Sequence, residues 1–175
     1  MPDTWISDEM RAAIGREYGA EKKSLPLSSS DIRRWAAAIY WPEPPPRLFW
    51  DEEYAASTSH GGLVAPEELN PFAWFSAEGP NLPSSFEGVV RSAGPEESLG
   101  VKAPETSFIM AGGTEVTYGV RMRPGDVITS GLTKLTGYTE RESRLGLTLF
   151  TTTSTGWTNQ KGETVKTTST ILIRY

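Results

Sequence analysis

The spacing of apolar residues changes partway along the chain. Over the first sixty or so positions they recur in short bursts at helical spacing, and after about position 115 they alternate with polar residues. Ser7, Asp8 and Glu9 supply a cap and early negative charge ahead of Met10, Ala13 and Ile14, which predicts a short helix ending near Gly15. Residues 21–27 read as a short strand. Ser28, Ser29, Ser30 and Asp31 form a second cap, and Ile32, Trp35, Ala36 and Ile39 then mark one face of a helix expected to pack on a sheet. Pro42, Pro44, Pro45 and Pro46 end that helix, because proline removes amide donors and holds the backbone extended. Residues 51–57 predict one more short helix. Ala65, Pro66, Glu67 and Glu68 then resemble a helix start, and Leu69, Phe72, Ala73 and Phe75 surround so much of the following stretch that a buried helix is expected.

Residues 79–113 lose periodicity and are rich in proline and glycine, which predicts a long irregular insertion acting as a flap or linker. Beyond it Val116, Tyr118, Val120 and Met122 alternate as in a half-buried strand, and Pro124-Gly125-Asp126 makes a turn. Residues 127–138, 145–157 and 164–173 read as three long threonine-rich strands, the last two joined through Asn159-Gln160-Lys161-Gly162. Helices first and a meander second predict a single α+β domain over residues 1–175, with helical material on one face of an antiparallel sheet.

Composition narrows the chemistry. Among 175 residues there is no cysteine, which excludes disulfides, thiolate metal sites and a cysteine nucleophile. The one histidine, His60, cannot build a histidine-rich metal site, so no metal is expected. Seventeen basic and 22 acidic residues leave a net charge of −5 with no long block of either sign, which argues against nucleic acid as a partner. Met1 to Ser7 lack the pattern of a secretory leader, and no apolar run approaches the roughly 20 residues that span a bilayer; a cytoplasmic protein without a membrane partner is expected.

Three groups of residues resemble the N-terminal domain of MaoC-like dehydratases. The first is Ile14-Gly15-Arg16-Glu17 with the helix that starts at Asp31-Ile32-Arg33-Arg34-Trp35. The second is Trp50-Asp51-Glu52-Glu53-Tyr54-Ala55, leading to Gly61-Gly62-Leu63-Val64-Ala65-Pro66. The third is Gly112-Gly113-Thr114-Glu115-Val116, then Arg123-Pro124-Gly125-Asp126, closing with Trp157-Thr158-Asn159-Gln160-Lys161-Gly162-Glu163. Their order and spacing span nearly the whole chain. The resemblance implies a hot-dog fold, in which a curved antiparallel β-sheet wraps around a central helix. It also implies an enoyl-CoA hydratase or 3-hydroxyacyl dehydratase chemistry on acyl thioesters carried by coenzyme A or acyl carrier protein, with no further cofactor.

Such hydration needs a base to activate water, an acid for the α-carbon, and amide donors where enolate charge develops on the thioester oxygen. In the family an Asp and a His from an Asp-x-Asn-Pro-x-His stretch move the protons, and backbone amides at the start of the central helix polarise the carbonyl. In this chain the corresponding positions hold Trp41, Glu43 and Phe49, with Pro45-Pro46-Arg47 inserted, so both proton-transfer groups are missing. Glu43, held between prolines, and His60, just ahead of Gly61-Gly62, are the residual acid/base candidates; the competing readings are an exposed acid on a stiff loop and a loop histidine bonded to backbone or solvent. By resemblance the substrate-binding set is Trp41, Phe49, Gly61, Gly62, Glu67, Glu68 and Phe72. Trp50, Trp74 and Phe75 join the aromatic residues that would line an acyl pocket or pack the core.

The leading expectation is therefore a hydratase–dehydratase subunit that lacks the catalytic pair and shapes the acyl pocket for a catalytic MaoC-like partner, in a heterodimer or heterotetramer. The alternatives are a self-sufficient homodimeric enzyme of altered chemistry, such as a thioesterase or divergent dehydratase, and a non-enzymatic acyl-binding or assembly protein.

Overall fold

The computed structural model describes residues 4–80, 94–144 and 146–175. Helix α1 (Asp8–Ala13) leads into two short strands, β1 (Glu17–Tyr18) and β2 (Lys22–Lys23), and then into the longer helix α2 (Ser29–Tyr40). A 3-10 turn at Arg47–Phe49 and helix α3 (Glu52–Ser57) follow, then a small hairpin of β3 (Phe75–Ser76) and β4 (Gly79–Pro80). Helix α4 (Pro95–Ser98) precedes four long strands, β5 (Ile109–Tyr118), β6 (Thr129–Ser143), β7 (Gly146–Thr158) and β8 (Thr164–Arg174). These strands form an antiparallel sheet in the order β6-β7-β8-β5, and β1 and β2 both pair with the outer side of β6. The alternating pattern of the second half thus becomes the sheet, and the helical first half covers part of it. No helix among the described residues is long and apolar enough to cross a membrane.

Helix α2 forms where its cap predicts. The Ser28 hydroxyl accepts the Asp31 amide at 3.1 Å, and the Asp31 carboxylate accepts the Ser28 amide at 3.0 Å, a reciprocal capping box. Ile32 and Ala36 are fully buried on its inner side. They join Phe49, Val64, Leu69, Phe72, Met122 and Ile128 in one core cluster. A second cluster lies toward the other end of the sheet, where Met10 and Ala13 of α1 meet Leu99, Val101, Leu135 and Leu149. Between them the sheet face is floored by threonine. Register aligns Leu135, Thr153, Thr170 and Thr114 in one row across the sheet, and Thr133, Thr155, Thr168 and Val116 in the next. Exposure rises along the first row from buried Leu135 to exposed Thr114, so the cover thins toward β5. At its start β5 bulges at Ala111/Gly113, and a Cβ on Gly112 would come within 2.6 Å of Ile173.

Three expectations are corrected. Residues 65–75 are not a helix but a chain of turns, Leu69 N–H bonding to Pro66 O at 3.1 Å and Ala73 N–H to Asn70 O at 3.2 Å. Pro71 explains this: in a helix it would remove the bond to the carbonyl four residues back, and it biases Asn70 away from helical backbone. The Asn70 side chain instead accepts the Phe72 amide at 3.0 Å. Residues 79–113 are not irregular throughout, since they include β4, α4 and the start of β5; residues 81–93 of that insertion lie outside the described residues. Of the strand expected over 21–27 only Lys22–Lys23 pairs regularly in the sheet; beyond it the bonding is irregular, the Ser24 amide reaching Ile128 O at 2.8 Å and the Leu27 amide Asp126 O at 2.9 Å.

The insertion is anchored by a buried ion pair. Glu96 in α4 is 0% exposed and Arg174 at the end of β8 is 4% exposed. The guanidinium donates to both carboxylate oxygens, at 2.6 and 3.0 Å, and also to the Thr151 hydroxyl. Burial pushes the Glu96 carboxyl up, but Arg174's hydrogen bonds and charge outweigh it and hold the group below its ordinary value of 4.5. The ion pair therefore stabilises the fold fully above that value, and the contribution is lost as acidification passes through the lower, folded one. Glu96→Gln is expected to cost about 3 kcal/mol in urea unfolding at pH 7, because it strands a buried guanidinium. The variant should also lose part of the stability change between pH 5 and pH 3. An unchanged urea midpoint would remove the pair from the account.

Candidate functional site

The residues singled out by the family pattern do not converge on one pocket. Trp41, at the position of the family's aspartate, ends α2 on a cis peptide bond to Pro42 and is 81% exposed. Phe49, at the histidine position, is 6% exposed and sits with its ring centroid 5.9 Å from that of Tyr40. Glu43 is exposed on the proline-rich loop. Neither of the two positions that the resemblance assigns to proton transfer presents an acid or base, and Phe49 is core packing. Phe72 is likewise buried, its ring edge-on to Trp157 at 5.0 Å.

The loop around His60 is organised through its backbone. The His60 amide donates to the Thr58 hydroxyl at 3.2 Å, and its carbonyl accepts from the Arg123 guanidinium at 2.6 Å. Gly61 adopts φ +65°, a left-handed conformation that lets the chain reverse so that the Gly62 amide returns to the Ala55 carbonyl at 3.1 Å. Gly61 and Gly62 thus have a structural reason to be glycine. The Pro124-Gly125-Asp126 turn does too: Asp126 accepts the Arg123 amide at 2.7 Å and the Gln160 side-chain amide at 3.0 Å, so both of its oxygens are used.

The turn at residues 66–68 is where the resemblance places the carbonyl-polarising amides. Without a helix behind it the turn has no aligned dipole, although the amides of Glu67 and Glu68 bond to no acceptor among the described residues. Glu67 pairs with Arg121 at 3.4 Å, and Glu68 is exposed. Burial and then the charges of Glu68 and Glu67 push the Tyr118 hydroxyl up. Burial lowers Lys166, whose ammonium lies 3.8 Å over the Trp157 ring, while Glu68 opposes that shift. The space between this turn and residues 118–122 is about 10 Å³, enough for a water molecule and not for a thioester. The larger concavity lies elsewhere, a groove of about 480 Å³ between α2 and residues 69–75. Trp74 and Phe75 line it, and sequence reasoning grouped them with the aromatic residues without separating them from the buried Phe49 and Phe72. The separating signal is Asn70-Pro71, which breaks the helix and leaves Trp74 and Phe75 on the surface.

This placement divides the aromatic candidates. Phe72→Ala is expected to lower stability by about 3 to 5 kcal/mol, as for a buried aromatic. Trp41→Ala should stay within about 0.5 kcal/mol of the parent. Thermal unfolding of both variants checks this, and equal effects would contradict the assignment of Phe72 to core and Trp41 to surface.

Residues 12–168 match the family model described as the FAS1-like dehydratase domain region. A curated relative from Thermomonospora curvata, a probable enoyl-CoA hydratase alpha subunit, is 26% identical over 175 residues, covering 95% of this chain and 50% of the relative. The chain thus spans about half the length of that protein. Among solved structures, the MaoC-like dehydratase from Rhodospirillum rubrum superposes with a TM-score of 0.55 at 20% identity, covering 93% of this chain and 92% of the other. A chain of the ChsH1-ChsH2 complex from Mycobacterium tuberculosis superposes with a TM-score of 0.61 at 16% identity, covering 90% of this chain and 83% of that one. These likenesses show the hot-dog fold, built here without a helix over residues 65–75. The chain belongs to the family described as the FAS1-like dehydratase domain region.

Proposed function

We propose that this chain is the half of an acyl-thioester hydratase–dehydratase that does not move protons, and that it works with a second hot-dog subunit carrying the Asp and His. The observation that carries this reading is the state of the two family positions: Trp41 projects into solvent and Phe49 is sealed in the core. The cleft of about 10 Å³ beside the 66–68 turn supports it, because it has no room for an acyl chain within this chain alone.

The partner has a surface to meet. Among the described residues strand β5 is the edge of the sheet, ten residues long, with Ile109 and Met110 58% and 49% exposed and Phe108 beside them 62% exposed. A free edge of this length presents a row of unpaired backbone donors and acceptors, which a second sheet satisfies. The naming of the curated relative as an alpha subunit, and the two-protein composition of the ChsH1-ChsH2 structure, fit the same reading. In it the substrate is an acyl group on coenzyme A or acyl carrier protein, and the Glu67 and Glu68 amides are donors available to the assembled site. His60 and Glu43 are not proton carriers in this scheme.

The test is to purify the chain alone and co-expressed with a MaoC-like protein that retains the Asp-x-Asn-Pro-x-His stretch, then follow loss of enoyl-thioester absorbance. Turnover is expected only from the complex, and His60→Gln and Glu43→Gln should leave its rate within about twofold of the parent. Full activity from the isolated chain would overturn the reading, as would a loss of about 100-fold or more in either variant.

A further inference from the structure

The two covers on the sheet are attached by different means. At the α2 end the backbone itself is stitched to the chain between β5 and β6, Ala65 N–H donating to Met122 O at 2.8 Å and Gly125 N–H to Leu27 O at 2.7 Å. Residues 94–101 at the other end have no such stitching. Their backbone bonds close on one another, Ser98 N–H to Gly94 O at 3.0 Å and Val101 N–H to Glu96 O at 2.8 Å. Among the described residues the next backbone bond to another part of the chain is from Ser107 N–H to Tyr175 O at 2.9 Å. Side-chain contacts hold the segment down: Leu99 and Val101 sit in the apolar cluster with Met10, Leu135 and Leu149, the Arg16 guanidinium donates to Leu99 O at 3.0 Å, and Glu96 pairs with Arg174. Of these contacts only the ion pair can be switched by a proton.

We propose that residues 94–101 form a strap that lifts off the sheet as a unit in acid, when Glu96 takes up a proton, uncovering Leu135 and Leu149 while the strands and the α2 cover stay folded. With the carboxyl neutral, the Arg174 guanidinium is buried without a counter-charge for as long as the strap is closed, and opening returns it to water. Opening also restores backbone freedom to the segment. Loss of the burial of Leu99 and Val101 opposes it, and with the ion pair intact this keeps the strap closed at neutral pH. The groups facing Glu96 do not share the switch. Arg174 reaches it from β8 and stays charged; Tyr138 on β6 and Tyr18 on β1 have their hydroxyls pushed up by burial and by the charge of Glu96, so both stay neutral in acid. Glu140 of β6, in the same row as Arg174, is turned instead to the Thr4 hydroxyl at 2.8 Å and the Trp5 amide, and Glu97 beside Glu96 is exposed. The sign follows from Glu96 alone. Its carboxyl is held below 4.5 in the closed strap and returns toward that value in the open one, so acid favours opening from about pH 4.5 down to the lower, closed value. The strap is independent of the hydratase reading and of any partner subunit.

The chain has no cysteine, so a single introduced thiol reports one position. Val101→Cys places it on the strap and Val165→Cys in the other core cluster, cysteine being a small apolar substitute for valine. Labelling of the full chain by 4,4′-dithiodipyridine, which reacts with thiols in acid, is followed from about pH 7 to pH 3 and divided by the rate for an unstructured cysteine peptide. At about pH 4 the thiol at position 101 is expected to label about tenfold or more faster than the one at 165, to gain up to about tenfold per pH unit below 4.5, and to depend little on urea below the unfolding transition. Glu96→Gln should speed labelling at 101 at neutral pH and remove the rise in acid. Equal rates at the two positions with the same urea dependence would show that the domain opens only as a whole and would overturn the proposal. So would a flat pH profile in the parent, or a rise that survives Glu96→Gln, which would assign it to another carboxyl such as Glu140. If Val101→Cys does not fold, amide exchange of the parent protein at about pH 4 decides: the Leu99 and Val101 amides are expected to exchange about tenfold or more faster than those of Thr151 and Thr153 after correction for intrinsic rates, and equal exchange overturns the strap.

Discussion

An antiparallel sheet with one apolar face must have that face covered, and in this protein the cover comes in two separate pieces. At one end α2 and the turns of residues 63–72 seal Met122, Ile128 and Val165; at the other α1 and residues 99–101 seal Leu135 and Leu149. Among the described residues no helix runs between them, and Pro71 interrupts the segment that otherwise has the composition of one. The rest follows from that interruption. Trp74 and Phe75 are displaced onto the surface, the 66–68 turn has no helix dipole behind it, and the middle of the sheet is floored with threonine hydroxyls that tolerate partial exposure.

The two anchors at the ends of the sheet differ in kind. Ser28 with Asp31, and Asp126 with Arg123, are local devices, each bonded across three positions of sequence, and they fix where α2 meets the strands. Glu96 and Arg174 act over 78 positions of sequence and tie the far side of the insertion to the last strand. A bidentate pair sealed from water is sensitive to any change that removes one partner and not the other, so this contact makes the placement of α4 specific.

Much of this was legible in the sequence where local chemistry decides the outcome. The caps at Ser7 and Ser28 mark two helices, residues 51–57 read as a third, and the threonine-rich alternation marks β6, β7 and β8. The resemblance sets Trp41 and Phe49 where the family pattern has an acid and an imidazole, and it is from that comparison of residue types that the proposed division of labour starts. The helix expected over residues 65–75 failed because the apolar spacing and the acidic start outweighed Asn70-Pro71 in the reading, whereas the backbone obeys the proline. Whether an aromatic residue is core or surface depends on tertiary placement, so Phe49 and Phe72 could not be told from Trp41 and Trp74 by spacing. The Glu96–Arg174 pair was invisible for the same reason: neither residue sits in a pattern that announces its partner.

The central claim is that this chain carries the family's fold and not its proton transfer. The most direct measurement is deuterium incorporation at the α-carbon of a 3-hydroxyacyl thioester incubated with the isolated chain in heavy water, followed by NMR. The account predicts exchange no faster than in buffer. Exchange catalysed by the isolated chain would contradict it.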